Sequence, residues 1–277
     1  MLGFHPENSC VVLALSGDAV AFCARLELDW FVVDYEGTLA QLCRAADRVP
    51  DCRYVVIGYG PVDDAALAVT ELSDCLGWPL VAEALVTQGD YFWSLPALGE
   101  PTRFSFDCNP LAASAVYEGM RIERDRATAV LPVVLSEPPE ASLLAQCEGA
   151  LEAMSAEVGF AVLESLAESP LPLKPADAVL LALLLRDEDR LAALVARLNR
   201  TSAVAIWPNL VLARRHAPPQ AEADVLASLC LASWLAGKPA GQIACLEQLL
   251  ARDADHPLAL MLVGLQQAGV SPDQWPW

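Results

Sequence analysis

The sequence predicts an α+β fold: an N-terminal mixed β-sheet with helices packed on it, then an all-α C-terminal helical region. Three observations carry this. Runs that read as strands recur through the first 106 residues. Amphipathic patterns of helical period lie between them. After Leu135 the composition changes, no strand pattern remains, and prolines punctuate a series of helices.

Taken in order, Cys10-Val11-Val12-Leu13-Ala14-Leu15 reads as a strand buried on both faces, closed by Ser16-Gly17-Asp18. Residues 20–29 alternate instead. Val20, Phe22, Ala24, Leu26 and Leu28 share one face, with Arg25, Glu27 and Asp29 on the other, as in a strand hairpin-paired to the first. Leu39, Leu42, Cys43, Ala46 and Val49 then follow helical spacing up to Pro50. Tyr54-Val55-Val56-Ile57 is a second apolar strand, closed by Gly58-Tyr59-Gly60-Pro61. The next helix takes Asp63 or Asp64 as N-cap, turns Ala65, Ala68, Val69, Leu72, Cys75 and Leu76 inward, and stops at Gly77. Residues 81–86 and 91–95 form another hairpin, and 102–106 a short strand. Asn109-Pro110 opens a helix ending at Gly119.

Ser136-Glu137-Pro138-Pro139-Glu140 has linker composition, which divides the chain into a mixed α/β domain over 1–135 and a helical domain over 136–277. Prolines at 170, 172, 175, 208, 218, 219, 239 and 257 separate the helices of the second. Ala232, Leu235, Gly237, Leu246, Leu249, Leu250, Asp253 and Asp255 fall near a tetratricopeptide pattern, so the last hairpin is expected to be tetratricopeptide-like.

Composition narrows the function classes. With 55 % hydrophobic residues the chain has the material for a core and is not disordered. The longest apolar runs, 10–15 and 179–185, fall far short of the roughly 18–20 residues that a spanning helix needs, so no membrane association is expected. The first residues lack the basic and long apolar regions of a secretory signal. Of the nine cysteines none has Cys-x-x-Cys spacing; Cys10, Cys23, Cys43 and Cys75 fall at covered positions, which suits free thiols in a reducing cytoplasm. A net charge of −19 lacks the cationic footprint of a nucleic-acid binder.

The opening block Gly3-Phe4-His5-Pro6-Glu7-Asn8-Ser9-Cys10-Val11-Val12-Leu13 resembles the start of an uncharacterised family of actinobacteria and their phages, the domain of unknown function 4192. Arg25-Leu26-Glu27-Leu28 stands where that family tends to carry Arg-x-Asp-Leu. Tyr91-Phe92-Trp93-Ser94, Glu118-Gly119 with Arg126, and the closing stretch from Ala227 to Val270 also resemble its pattern. The chain departs at Glu27, and Leu95-Pro96-Ala97 lacks a cysteine common there. The resemblance implies a bacterial or phage cytoplasmic protein and no activity.

Candidate chemistry is sparse, and no cofactor is expected. Gly58 and Gly60 follow a buried strand and precede a helix, as in loops that cradle phosphate. A third glycine and a Gly-Lys-Ser/Thr are absent, and Asp63 and Asp64 favour an ordinary turn. His5, His216 and His256 lack partners at ligand spacing, and His256 sits at a helix start. Asp187-Glu188-Asp189 suits a helix cap better than a metal site. Ser9 reads as a turn hydroxyl bonded to nearby backbone. The set with most promise is Arg25, Tyr91, Trp93, Ser94 and Arg126: if their faces meet, an Arg beside aromatics could hold an anion. Against it stands a pairing of Arg25 with Glu27 or Asp29.

The expected function is therefore non-catalytic: a cytoplasmic interaction or regulatory protein that binds a protein partner, or itself, through its helical half. The alternatives are a binder of a small anionic metabolite or nucleotide, or an enzyme, using the α/β half, and an acidic DNA mimic.

Overall fold

Residues 9–16 alternate two apolar sets, Cys10, Val12 and Ala14 against Val11, Leu13 and Leu15, which is the pattern of an interior strand. In the computed structural model, which describes residues 4–17, 19–88, 91–105, 123–268, 270 and 272–275, this segment is β1 (Ser9–Ser16), flanked on both sides. β2 (Ala19–Glu27) pairs antiparallel to it as the expected hairpin. β3 (Arg53–Tyr59) pairs antiparallel on the other edge of β1. β4 (Val81–Gln88) runs parallel to β3, and β5 (Tyr91–Ser94) and β6 (Thr102–Phe104) complete a mixed six-stranded sheet of order β2-β1-β3-β4-β5-β6. The helix expected over 109–119 lies outside the described residues.

A parallel pair needs a crossover, and the helix α3 (Val62–Leu76) supplies it between β3 and β4. Its inner face is Ala65, Ala68, Val69, Leu72 and Leu76, as spacing predicts. Neither Asp63 nor Asp64 is the N-cap: Pro61 holds that position, and the two acids fill the first turn, where they face the positive end of the helix dipole. Before β3 come a four-residue helix, α1 (Trp30–Val33), and α2 (Tyr35–Asp47), capped by Asp34 accepting from the Gly37 amide at 3.1 Å. Leu42 of α2, Val69 and Leu72 of α3, and Cys10, Val12, Val56 and Val86 of the sheet make the core. Cys43 of α2 and Cys75 of α3 are joined as a disulfide, not free. Side-by-side packing of two helices brings them together, which spacing along the chain does not show. Cys23, also expected to be covered, is exposed.

Contacts divide the chain into two units that meet in sequence between Asp125 and Arg126, not after Leu135. The reason is the helix α4 (Arg126–Val134), whose Val130 and Val133 belong to the helical core. The helical unit continues through α5 (Ala141–Glu152), α6 (Ala156–Ala167), α7 (Pro175–Leu184), α8 (Glu188–Arg197), α9 (Arg200–Arg215), α10 (Glu222–Leu235), α11 (Pro239–Arg252) and α12 (Pro257–Gln267). α7 and α10 are its centre; every residue from Val225 to Leu235 of α10 is buried. Pro175, Pro239 and Pro257 start helices as expected, where a missing N–H costs nothing. Pro208 does not: α9 runs through it, with Val204, four residues back, at an exposed position. α10 and α11 form a helical hairpin turning at Gly237 (φ +69°), a pairing that does not by itself make a tetratricopeptide unit.

This unit also buries charge. Arg214 of α9, 4 % exposed, donates to Glu222 of α10 at 2.9 Å and to Gln248 of α11 at 2.9 Å, while Arg252 of α11 pairs with the same Glu222. Burial pulls the Arg214 pKa below its ordinary value, and Glu222 works against that. Asn209, also buried, donates to the Ala167 and Ser169 carbonyls at 3.0 and 2.8 Å and so satisfies the end of α6. His256 caps α12, its Nδ1 accepting from the Leu258 amide at 3.2 Å; Nε2–H is then left to face Asp224 at 3.4 Å.

Glu222→Gln leaves two arginines with no anion between them. It should lower the stability of the helical unit by about 3–5 kcal/mol in urea unfolding, with a native far-ultraviolet spectrum before the transition. A loss below about 1 kcal/mol would show that Glu222 does not hold the three helices together.

Candidate functional site

The expected anion set does not assemble. Arg25 of β2 donates to Glu27 on its own strand and to the Glu7 carbonyl at 3.1 Å. Arg25 pairs across the sheet with Val11, Val11 with Ile57, Ile57 with Leu85, and Leu85 with Ser94, so Arg25 and Ser94 share one face. Tyr91 and Trp93 are on the opposite face. β1, β3 and β4 separate β2 from β5, which is roughly 19 Å at the usual strand spacing. Ser94 Oγ donates to Glu83 at 3.4 Å, and Trp93 Nε1 to Gln88 at 3.0 Å. Arg126 belongs to the helical unit, where it pairs with Glu247 of α11 at 3.3 Å. The arginine beside the aromatics is Arg103 of β6: it stands opposite Trp93 in register and 3.4 Å from the Tyr91 ring centre. Period-two reading of residues 102–104 was the signal available for it.

The two glycines serve packing. A Cβ on Gly58 would lie 2.9 Å from Val69 Cγ2 and 3.0 Å from the Ala65 carbonyl oxygen, so α3 rests directly on the strand there. Gly60 adopts φ +136°, with Asn8 and Leu28 filling the space where its Cβ would be. The backbone that would have cradled a phosphate is occupied by the protein's own chain.

Other candidates resolve in the same direction. Asp187 caps α8, accepting from the Arg190 amide at 3.0 Å, with Glu188 and Asp189 in the first turn. Ser9 is not a turn hydroxyl; it opens β1, fully buried, with its Oγ unbonded among the described residues, because the turn ends one residue earlier at Asn8 (φ 43°). Burial pushes the Cys10 and Cys230 thiols up to about 12, far from nucleophilic at neutral pH. Among the described residues no three His, Cys, Asp or Glu side chains gather as metal ligands, and no helix is long and apolar enough to cross a membrane.

What the α/β unit does present is apolar surface. Trp30, Val32 and Val33 of α1 are 44, 87 and 83 % exposed, and Leu67 on the outer face of α3 is 63 % exposed. Between Val32 and Leu67 runs a groove of about 210 Å³. Leu28, Phe31 and Ala68 line its base, Val32, Tyr35 and Leu67 its walls, and Asp29, Asp64 and Glu71 its mouth. The Tyr35 hydroxyl, at the start of α2, donates to Glu71 of α3 and ties one wall to the other. That bond raises the Tyr35 pKa above its ordinary value, so the contact is intact at neutral pH and is lost only as pH rises past it.

The family model for the domain of unknown function (DUF4192) matches residues 1–273. The chain belongs to this family. No curated protein and no solved structure matches it. Within this DUF4192 chain a cavity of about 370 Å³ also opens beside Trp93, Gln88 and Val86, with Glu100 on its rim. No cation lines it among the described residues, so it does not suit the anion expected of the aromatic strand.

Gly58→Ala should destabilise the α/β unit by about 1–3 kcal/mol, because the Ala65 carbonyl cannot yield as a flexible side chain would. Chemical denaturation measures this. An unchanged midpoint would mean that α3 does not rest on β3 at this point.

Proposed function

We propose that this protein is a non-catalytic binding module that docks a protein partner in the groove of α1, α2 and α3. One observation carries the reading: Val32, Tyr35 and Leu67 are large and exposed together, around a concave surface with an apolar base, on elements of defined structure. Soluble proteins rarely leave such patches open, and those that persist mark interaction sites. The helical half, which the apolar sequence favours, turns those residues inward. Its cavity between α6, α8 and α9 holds about 30 Å³, room for a water but not for a side chain. Leu131 and Val134 are exposed together on α4, whereas Val158, Leu171, Val204, Ile243 and Leu260 lie on separate elements, and none of them lines that cavity. The α/β half therefore supports docking better.

Immobilised wild-type protein and the double variant Val32→Asp, Leu67→Asp, both checked for native folding, test this against a lysate of the source organism. A protein retained by the wild type and lost on the variant is expected. Retention by both alike, or by neither, contradicts the reading.

A further inference from the structure

We infer that the groove takes a basic partner: a protein segment that offers one bulky apolar side chain between lysines or arginines. This rests on the reading of the groove as a docking surface and adds the chemistry of what docks. The volume sets the size of the anchor. About 210 Å³ is below the roughly 300–1,000 Å³ of small-molecule and cofactor pockets, and it fits one large side chain. Leu28, Phe31 and Ala68 at the base supply no hydrogen-bond partner, so that side chain is apolar.

The charge sets the flanks. Asp29, Asp64 and Glu71 stand at the mouth, and none of the described residues lining it is basic. Asp29 and Asp64 are exposed, and no cation of the described residues pairs with either. Glu71 accepts from Tyr35 and keeps acceptor capacity to spare. Three carboxylates around one small opening reinforce each other within a Debye length of about 8–10 Å. They attract a cationic segment and repel an acidic one. A second copy of this chain is disfavoured for the same reason: it brings the same rim and a net charge of −19. Lysines or arginines flanking the anchor pair with the rim while water still reaches both groups, which avoids the cost of burying charge.

The probe is a random-peptide library displayed on phage, selected on the full chain. Two variants serve as controls: Asp29→Lys with Asp64→Lys, which reverses the rim, and Leu67→Asp, which spoils the apolar wall. All three are surface positions, and native folding is checked by circular dichroism. Enriched peptides should carry a leucine or aromatic residue flanked by lysine or arginine. A synthetic peptide of that sequence should bind the rim variant about tenfold more weakly or worse, and should weaken with salt. Acidic or neutral peptides, or peptides that bind the rim variant as well as the wild type yet fail on Leu67→Asp, would overturn the basic partner and leave the docking surface standing. No enrichment, or equal binding to Leu67→Asp, would overturn both.

Discussion

The close approach of α3 to β3 at Gly58 is the constraint on which the α/β unit depends. With no side chain between helix and strand, Val69 and Ala65 meet the sheet backbone itself. That contact seats the crossover helix, and the crossover helix permits β3 and β4 to run parallel in a sheet that is otherwise antiparallel. It also decides what α3 shows to the outside. Ala65, Ala68, Val69 and Leu72 are spent on the sheet; Asp64, Leu67 and Glu71 face away from it. The groove follows from that division, with α1 and the start of α2 as its other side. Tyr35–Glu71 and Cys43–Cys75 both tie α2 to α3 and keep the groove's walls in register.

The helical unit is built by another rule. Its centre is α10, which beyond its acidic first turn is buried on every side from Val225 to Leu235 and enclosed by its neighbours, as a helix stretch without a polar face must be. Its polar interior is organised around Glu222, which pairs with arginines from two other helices. Such an arrangement is costly to desolvate and costly to break, so it contributes more to which helices pack together than to net stability. Large apolar side chains are used up in this packing. The cavity between α6, α8 and α9 is correspondingly small, about 30 Å³.

Much of the fold was legible because the strands and helices announce their burial through period. The β1–β2 hairpin, the inner face of α3, the proline-started helices and the His256 cap were all readable from spacing. What was not readable depends on contacts between distant residues. Pro208 inside α9 is allowed by exposure of the opposing turn. Cys43 and Cys75 meet only because two helices lie side by side. Arg126 belongs with Glu247, far along the chain. The anion set failed for a related reason. Alternation tells which residues of one strand share a face, but not how many strands lie between Arg25 and Trp93, nor that the two point to opposite sides. Arg103 was overlooked because its strand is three residues long. The exposed groove was hidden because Val32 and Leu67 read as ordinary apolar residues; only packing shows that both stay exposed and line one concavity.

Function is proposed to reside in an acid-rimmed apolar groove on the α/β unit. Carboxyl footprinting tests it most directly: carbodiimide labelling of Asp and Glu side chains, read by mass spectrometry, on the protein free and with a bound basic peptide. Asp29 and Asp64 are expected to label readily in the free protein and to be protected together in the complex, with carboxylates of the helical unit unchanged. Protection confined to the helical unit, with Asp29 and Asp64 labelled equally in both states, would contradict it.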